Sequence, residues 1–167
     1  MAALDGIKVL DISEVMQAPL AAQVLGDFGA EVIKIERPAP GEIMRNLDRH
    51  GANNGLMSCY FAAMNRNKRA ICLDFKKPEA REAVRRMVRQ VDVLIHNYRP
   101  GAMERLGLSY EDLAEINPRL IYAVAYAFGE SGPLSHKGGQ DLLAQSFSGM
   151  AMGGVGPDEA AKLVETP

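Results

Sequence analysis

Residues 4–38 read LDGIKVLDISEVMQAPLAAQVLGDFGAEVIKIERP, and this stretch decides the fold. Ile7 to Ile12 is a short β-rich run. After a loop, Pro19 predicts the opening of a helix at its first position, with Leu20, Val24, Leu25 and Phe28 on one face and Gly29 ending it. Glu31 to Ile35, EVIKI, predicts a second strand. The first 36 residues therefore read as β-α-β, a unit whose parallel crossover is right-handed.

The same rhythm continues outward. Pro38 to Asn54 is irregular, Tyr60 to Asn65 predicts a short helix and Ala70 to Leu73 a third strand. Pro78 starts the clearest helix: Ala83, Val84, Met87, Val88 and Val91 recur at helical spacing, while Glu79, Arg81, Glu82, Arg85, Arg86 and Arg89 make a solvated face. Val91 to His96 predicts a fourth strand and Pro100-Gly101 a turn. Ser109 with Asp112 caps a short helix carrying Leu113 and Ile116, and Leu120 to Tyr126 is a fifth strand. The expected class is α/β: a Rossmann-like, doubly wound, mostly parallel sheet with flanking helices and ligands at the C-terminal ends of its strands. Residues 1–150 form that domain. Residues 151–167, small and Gly-rich, read as the start of a further segment, so that the chain stops in mid-structure.

Composition narrows the partners. The chain has 167 residues, 47% hydrophobic and 24% charged, which suits one soluble globular domain with a real core. A net charge of −2 argues against nucleic acid, whose phosphates call for a basic excess. Cys59 and Cys72 show no CxxC spacing, so neither a disulfide framework nor a zinc site is expected. The N-terminus lacks a signal-peptide pattern and no window approaches a membrane span, so the expectation is a cytoplasmic protein without membrane or metal.

The turn after the first strand, Asp11 to Pro19, contains no glycine, so the GxGxxG fingerprint of nicotinamide cofactors is missing where it is needed. Glu36-Arg37 follows the second strand, where an arginine can hold a ribose phosphate, as in NADP or in the 3′-phosphate of coenzyme A. Lys68, Arg69 and Lys76 flank the third strand and Asn97-Tyr98-Arg99 follows the fourth. Guanidinium forks match phosphate and a tyrosine face stacks on a purine, so these residues are expected to gather at one edge.

Four blocks now carry a resemblance: the opening stretch, then NRNKRAICLDFKKPEAR (65–81), VDVLIHNYRPGAMERLGLSYEDLAEINPRLIYA (91–123), and GxxGP followed by GQDLLAQSFSGM (139–150). In this order and spacing the chain resembles the family III CoA-transferases of the CaiB/BaiF type, the formyl-CoA transferase and carnitine-CoA transferase group. The resemblance implies an interlocked homodimer with a Rossmann-like CoA-binding domain. It also implies transfer of CoA from an acyl-CoA to a carboxylic acid acceptor. A carboxylate would attack the thioester to form a mixed anhydride, splitting one hard exchange into easier steps through acyl-aspartyl and aspartyl-CoA intermediates. Carried over by position, Arg37, Leu73, Lys76, Asn97, Tyr98, Arg105 and Lys137 are the implied CoA contacts. Where relatives have an AGP-like turn this chain has Gln17-Ala18-Pro19, and Met16 stands where some transferases place a glutamine.

Asp141 lies in the Gly-rich stretch near His136 and Lys137. The resemblance implies that the nucleophilic aspartate belongs to a later AD-x-x-x-G motif and that Asp141 has only a supporting catalytic role; Asp158, in GPDEAAK, lacks that context. Read from local pattern, Asp141 is alternatively the N-cap of a helix over Leu142 to Phe147, and the two roles can coexist. Related 2-methylacyl-CoA racemases carry His-Asp at this site. Here the pair is Gln140-Asp141, and an amide does not shuttle protons near neutral pH, which favours transfer. A racemase and a non-catalytic binding module remain the alternatives. His136 reads as a loop surface residue, and His50 and His96 show no metal or catalytic pattern.

Overall fold

The computed structural model describes residues 1–47 and 57–151; the expectations for His50, for Asp158 and for the segment 152–167 lie outside the described residues. Two compact units are distinguished, Met1–Ala125 and Tyr126–Pro167. The first holds a sheet of five strands, β1 (Lys8–Ile12), β2 (Glu31–Glu36), β3 (Lys68–Cys72), β4 (Val93–His96) and β5 (Ile121–Val124). All neighbours are parallel and the order is β3-β2-β1-β4-β5. The order reverses at β1, which puts the switch point of the doubly wound sheet between β1 and β4.

Parallel strands need crossovers, supplied by α1 (Gln17–Asp27), α2 (Cys59–Asn65) and α3 (Pro78–Val88), then by α4 (Ala102–Arg105) and α5 (Tyr110–Ala114). A 3-10 turn, Ile43–Asn46, precedes α2. β1 is covered on both faces. Leu10 and Ile12 pack with Val84, Val88, Leu94, Met103 and Leu113, whereas Val9 packs with Ala18, Ala22, Val32 and Ile95. Each Val, Leu, Ile or Met side chain so withdrawn from water contributes about 1.5–3 kcal/mol, so these two layers dominate the stability of the unit. The capped helix forms as expected: Ser109 Oγ accepts from the Asp112 N–H at 3.2 Å, and Asp112 Oδ2 accepts from the Ser109 N–H at 3.1 Å.

Several expectations change in detail. α1 begins at Gln17, two residues before Pro19, and its inward residues are Ala18, Pro19, Ala22 and Gln23. Leu20, Val24 and Phe28 stay 42%, 41% and 56% exposed, and only Leu25 of the predicted face packs against the core. Small side chains let the helix axis approach the sheet closely, which favours alanine over leucine on the buried face. β3 starts at Lys68, earlier than expected, and is an edge strand with Arg69 to Cys72 exposed. Among the described residues no helix is long and apolar enough to cross a membrane.

In the second unit α6 (Asp141–Ser148) carries Phe147, whose ring meets Phe128 edge-on at 5.6 Å. Asp141 is not the N-cap. Gln140 holds that position without a side-chain cap, and Asp141, first in the helix, accepts from Gln145 Nε2 at 2.7 Å. The extended backbone at Gln140 sets the helix start one residue earlier than the pattern implied.

Candidate functional site

A cleft of about 170 Å³ opens at the C-terminal ends of β2, β3 and β4, lined by Ile35, Glu36, Arg37, Leu73, Asp74, Phe75, Lys76 and Tyr98. Four residues singled out in the sequence, Arg37, Leu73, Lys76 and Tyr98, meet there. The strands explain why. Each carries its apolar run into the sheet and releases the chain at the same edge, where the next polar residues project into one space. The Lys76 N–H donates to Asp74 Oδ1 at 3.1 Å, fixing the tight turn between β3 and α3. Arg37 donates from Nε to the Gly41 carbonyl at 2.8 Å and stands 3.5 Å from Glu14 Oε1.

Asn97 does not line the cleft; it braces it. Its side chain accepts from the Glu14 N–H at 3.0 Å and donates to the Glu14 carbonyl at 2.6 Å, tying the loop after β4 to the loop after β1. Burial raises the Tyr98 hydroxyl pKa, the nearby Glu14 charge adds to this and Arg37 opposes it, so the phenol stays neutral. Arg105 lies in a separate groove with Pro78, Arg81, Glu82, Arg85, Glu104, Leu106 and Gly107. Lys137 and Asp141 belong to the second unit, where the Lys137 N–H donates to the Leu134 carbonyl at 2.8 Å.

Beneath the loop after β1 lies a charged network that the sequence reading did not identify. Asp11, fully buried, accepts from Lys68 Nζ at 2.8 Å and stands 3.7 Å from Lys34 Nζ; both lysine side chains are 1% exposed. Lys68 also donates to the Pro19 carbonyl at 2.8 Å and to Asn65 Oδ1 at 3.0 Å, and Lys34 donates to the Ser13 carbonyl at 2.7 Å. Asp11 in turn accepts from the Ser13 N–H at 3.1 Å and from its hydroxyl. Burial lowers the Lys68 pKa, with the Asp11 charge and hydrogen bond opposing it. Lys68 was expected among the strand-end cations of a ligand site. It sits instead at the N-terminal end of β3 as an internal strut, and exposed Arg69 pairs with Glu31 at 2.8 Å. The signal that could have found the network is the charge itself: Asp11 and Lys34 interrupt otherwise apolar runs and are direct neighbours in register.

A second missed element is Arg45. Its guanidinium forks onto Glu36 and lies 3.8 Å over the Phe61 ring. Burial alone would raise the Glu36 carboxyl, but the Arg45 and Glu42 hydrogen bonds and the charges of Arg45 and Lys34 outweigh it and hold the group below the usual glutamate range. Arg45 follows Glu36 by nine residues inside an irregular stretch, a spacing with no helical or strand signature.

A family model described as CoA-transferase family III matches residues 4–167. The chain is 44% identical over 154 residues to an acetyl-CoA:oxalate CoA-transferase of Acetobacter aceti, covering 92% of this chain and 39% of that protein. It is 39% identical over 159 residues to a succinyl-CoA:glutarate CoA-transferase of Mus musculus, covering 95% of this chain and 36% of that one. A solved CAIB/BAIF family protein from Brucella suis superimposes with a TM-score of 0.86 at 36% identity, covering 99% of this chain and 44% of that one. The chain thus spans less than half the length of these relatives.

Proposed function

The chain belongs to CoA-transferase family III, and from that premise we propose that it forms the CoA-binding part of an acyl-CoA:carboxylate CoA-transferase. The observation that carries the reading is the convergence of Arg37, Lys76 and Tyr98 with Leu73 on one cleft at the strand ends. Two cations suit phosphate, and a neutral tyrosine ring suits adenine. Asn97 steadies the cleft by tying the loop that carries Tyr98 to the loop that carries Glu14, and Arg105 is a further contact for the same ligand; Lys137, in the second unit, is a separate candidate contact. Asp141 supports the chemistry without attacking the thioester. In this reading the protein works as a homodimer in the cytoplasm, with an acyl-CoA donor, a carboxylic acid acceptor and no metal.

Calorimetric titration tests the reading. CoA should bind, with affinity falling as salt rises because phosphate contacts carry it, and Arg37→Ala and Lys76→Ala should each weaken binding about tenfold. Heat with NADP and none with CoA overturns the proposal.

A further inference from the structure

In doubly wound sheets a carboxylate at the end of the second strand accepts the hydroxyls of an unmodified ribose, whereas an arginine there takes a ribose phosphate. This chain presents both, Glu36 and Arg37, side by side in the wall of the cleft. Their rivalry is settled from behind. Glu36, 8% exposed, accepts at Oε2 from Arg45 Nε at 2.7 Å and at Oε1 from Arg45 Nη2 at 2.6 Å, and Oε2 also accepts from the Glu42 N–H at 3.2 Å. Arg45 is itself held by the Phe61 face. Gly41, at φ +83°, packs against the pair so closely that a Cβ there would lie 3.1 Å from Glu36 Oε2 and 3.2 Å from Arg45 Cδ. Both carboxylate oxygens are thereby engaged by one bidentate partner. Its charge is cancelled locally, while Arg37, bonded to the Gly41 carbonyl and 3.5 Å from Glu14, and Lys76 line the same cleft.

We propose that Arg45 is a specificity-determining residue: by engaging both oxygens of Glu36 it withdraws the ribose-hydroxyl acceptor from the cleft, so that the site selects a nucleotide whose ribose carries a phosphate. The proposal rests on the reading of the cleft as the CoA site. Without Arg45, the freed carboxylate would compete for Arg37 and repel the ligand's phosphate, while offering a ligand without that phosphate a new hydroxyl partner.

The test compares CoA with 3′-dephospho-CoA by calorimetric titration of the full chain. The unaltered protein should prefer CoA by about tenfold, the worth of one charge-assisted contact. Arg45→Ala should collapse that ratio, chiefly by losing CoA affinity, and adding Glu36→Gln to Arg45→Ala should recover much of it, because the competing charge is gone. Arg45→Lys, milder on folding, should narrow the ratio less than Arg45→Ala does. An unchanged ratio in both Arg45 variants, or a double variant no better than the single one, overturns the proposal while leaving the CoA reading intact. No CoA binding by the unaltered protein overturns both.

Discussion

Asn97 and Glu14 hold each other by two hydrogen bonds that run in opposite directions between one side-chain amide and one backbone unit. The arrangement imitates a rung of a sheet beyond the point where β1 and β4 have separated. Since Glu14 also stands beside Arg37, the brace reaches the cleft wall. Asn97→Ala removes both bonds and should cost about 1–3 kcal/mol in urea unfolding. CoA affinity should fall as well. Asn97→Asp, which sets a carboxylate against the Glu14 carbonyl, should be at least as damaging.

Asp11 serves two buried ammonium groups with one carboxylate. Asp11→Ala strands both, and breaking a buried ion pair of this kind costs about 3–5 kcal/mol, so chemical denaturation should show a severe loss. Lys68→Met, similar in volume and still leaving Asp11 its Lys34 partner, should be much milder. Equal losses in the two variants would contradict the charge argument.

His96 is 1% exposed, and its Nδ1 accepts from the Tyr98 N–H at 3.2 Å. Burial lowers its pKa to about 4, against the weaker opposing pull of Glu104. The unfolded chain, titrating near 6.5, takes up the proton first as pH falls. The folded state therefore keeps its full stability above about pH 6.5 and loses, through this group, about 3 kcal/mol on descending to pH 4. Thermal melts of His96→Phe should show a shallower decline across that window than the unaltered protein.

Gly101 opens α4 at φ +79°, in the left-handed region, and a Cβ there would stand 3.0 Å from Arg105 Nη1. Gly101→Ala should lower stability by about 1–2 kcal/mol through backbone strain. It should also push the Arg105 fork aside, so that any contribution of Arg105 to CoA affinity drops with it, as titration would register.

Four of the strands were legible as largely apolar runs closed by turn signals and β3 only from Ala70 onward, and the Ser109–Asp112 box because its spacing is itself the mechanism. Half of the cleft was legible too: Arg37, Leu73, Lys76 and Tyr98 lie within the few residues that follow strands, so topology brings them to one edge. What escaped was set by tertiary context. The inner face of α1 is made of alanine and proline, which carry a weak periodic signal, while the larger Leu20 and Val24 point outward and dominated the pattern. Lys68 read as a strand-end ligand cation because nothing near it in the sequence reveals the Asp11 that receives it. Arg45 lies in a stretch without periodicity, and only the folded chain shows that it reaches back to Glu36.

The pairing of β1 has a kinetic consequence. Lys8 meets Glu31 across a short connection, whereas Val9 meets Val93 across most of the unit. Closing the first loop loses less chain entropy than closing the second, so β1, α1 and β2 have the advantage in assembling early, with β4 docking onto an edge already in place. Truncating Ala22 to glycine should then slow folding, while Leu94→Ala should act mainly by hastening unfolding.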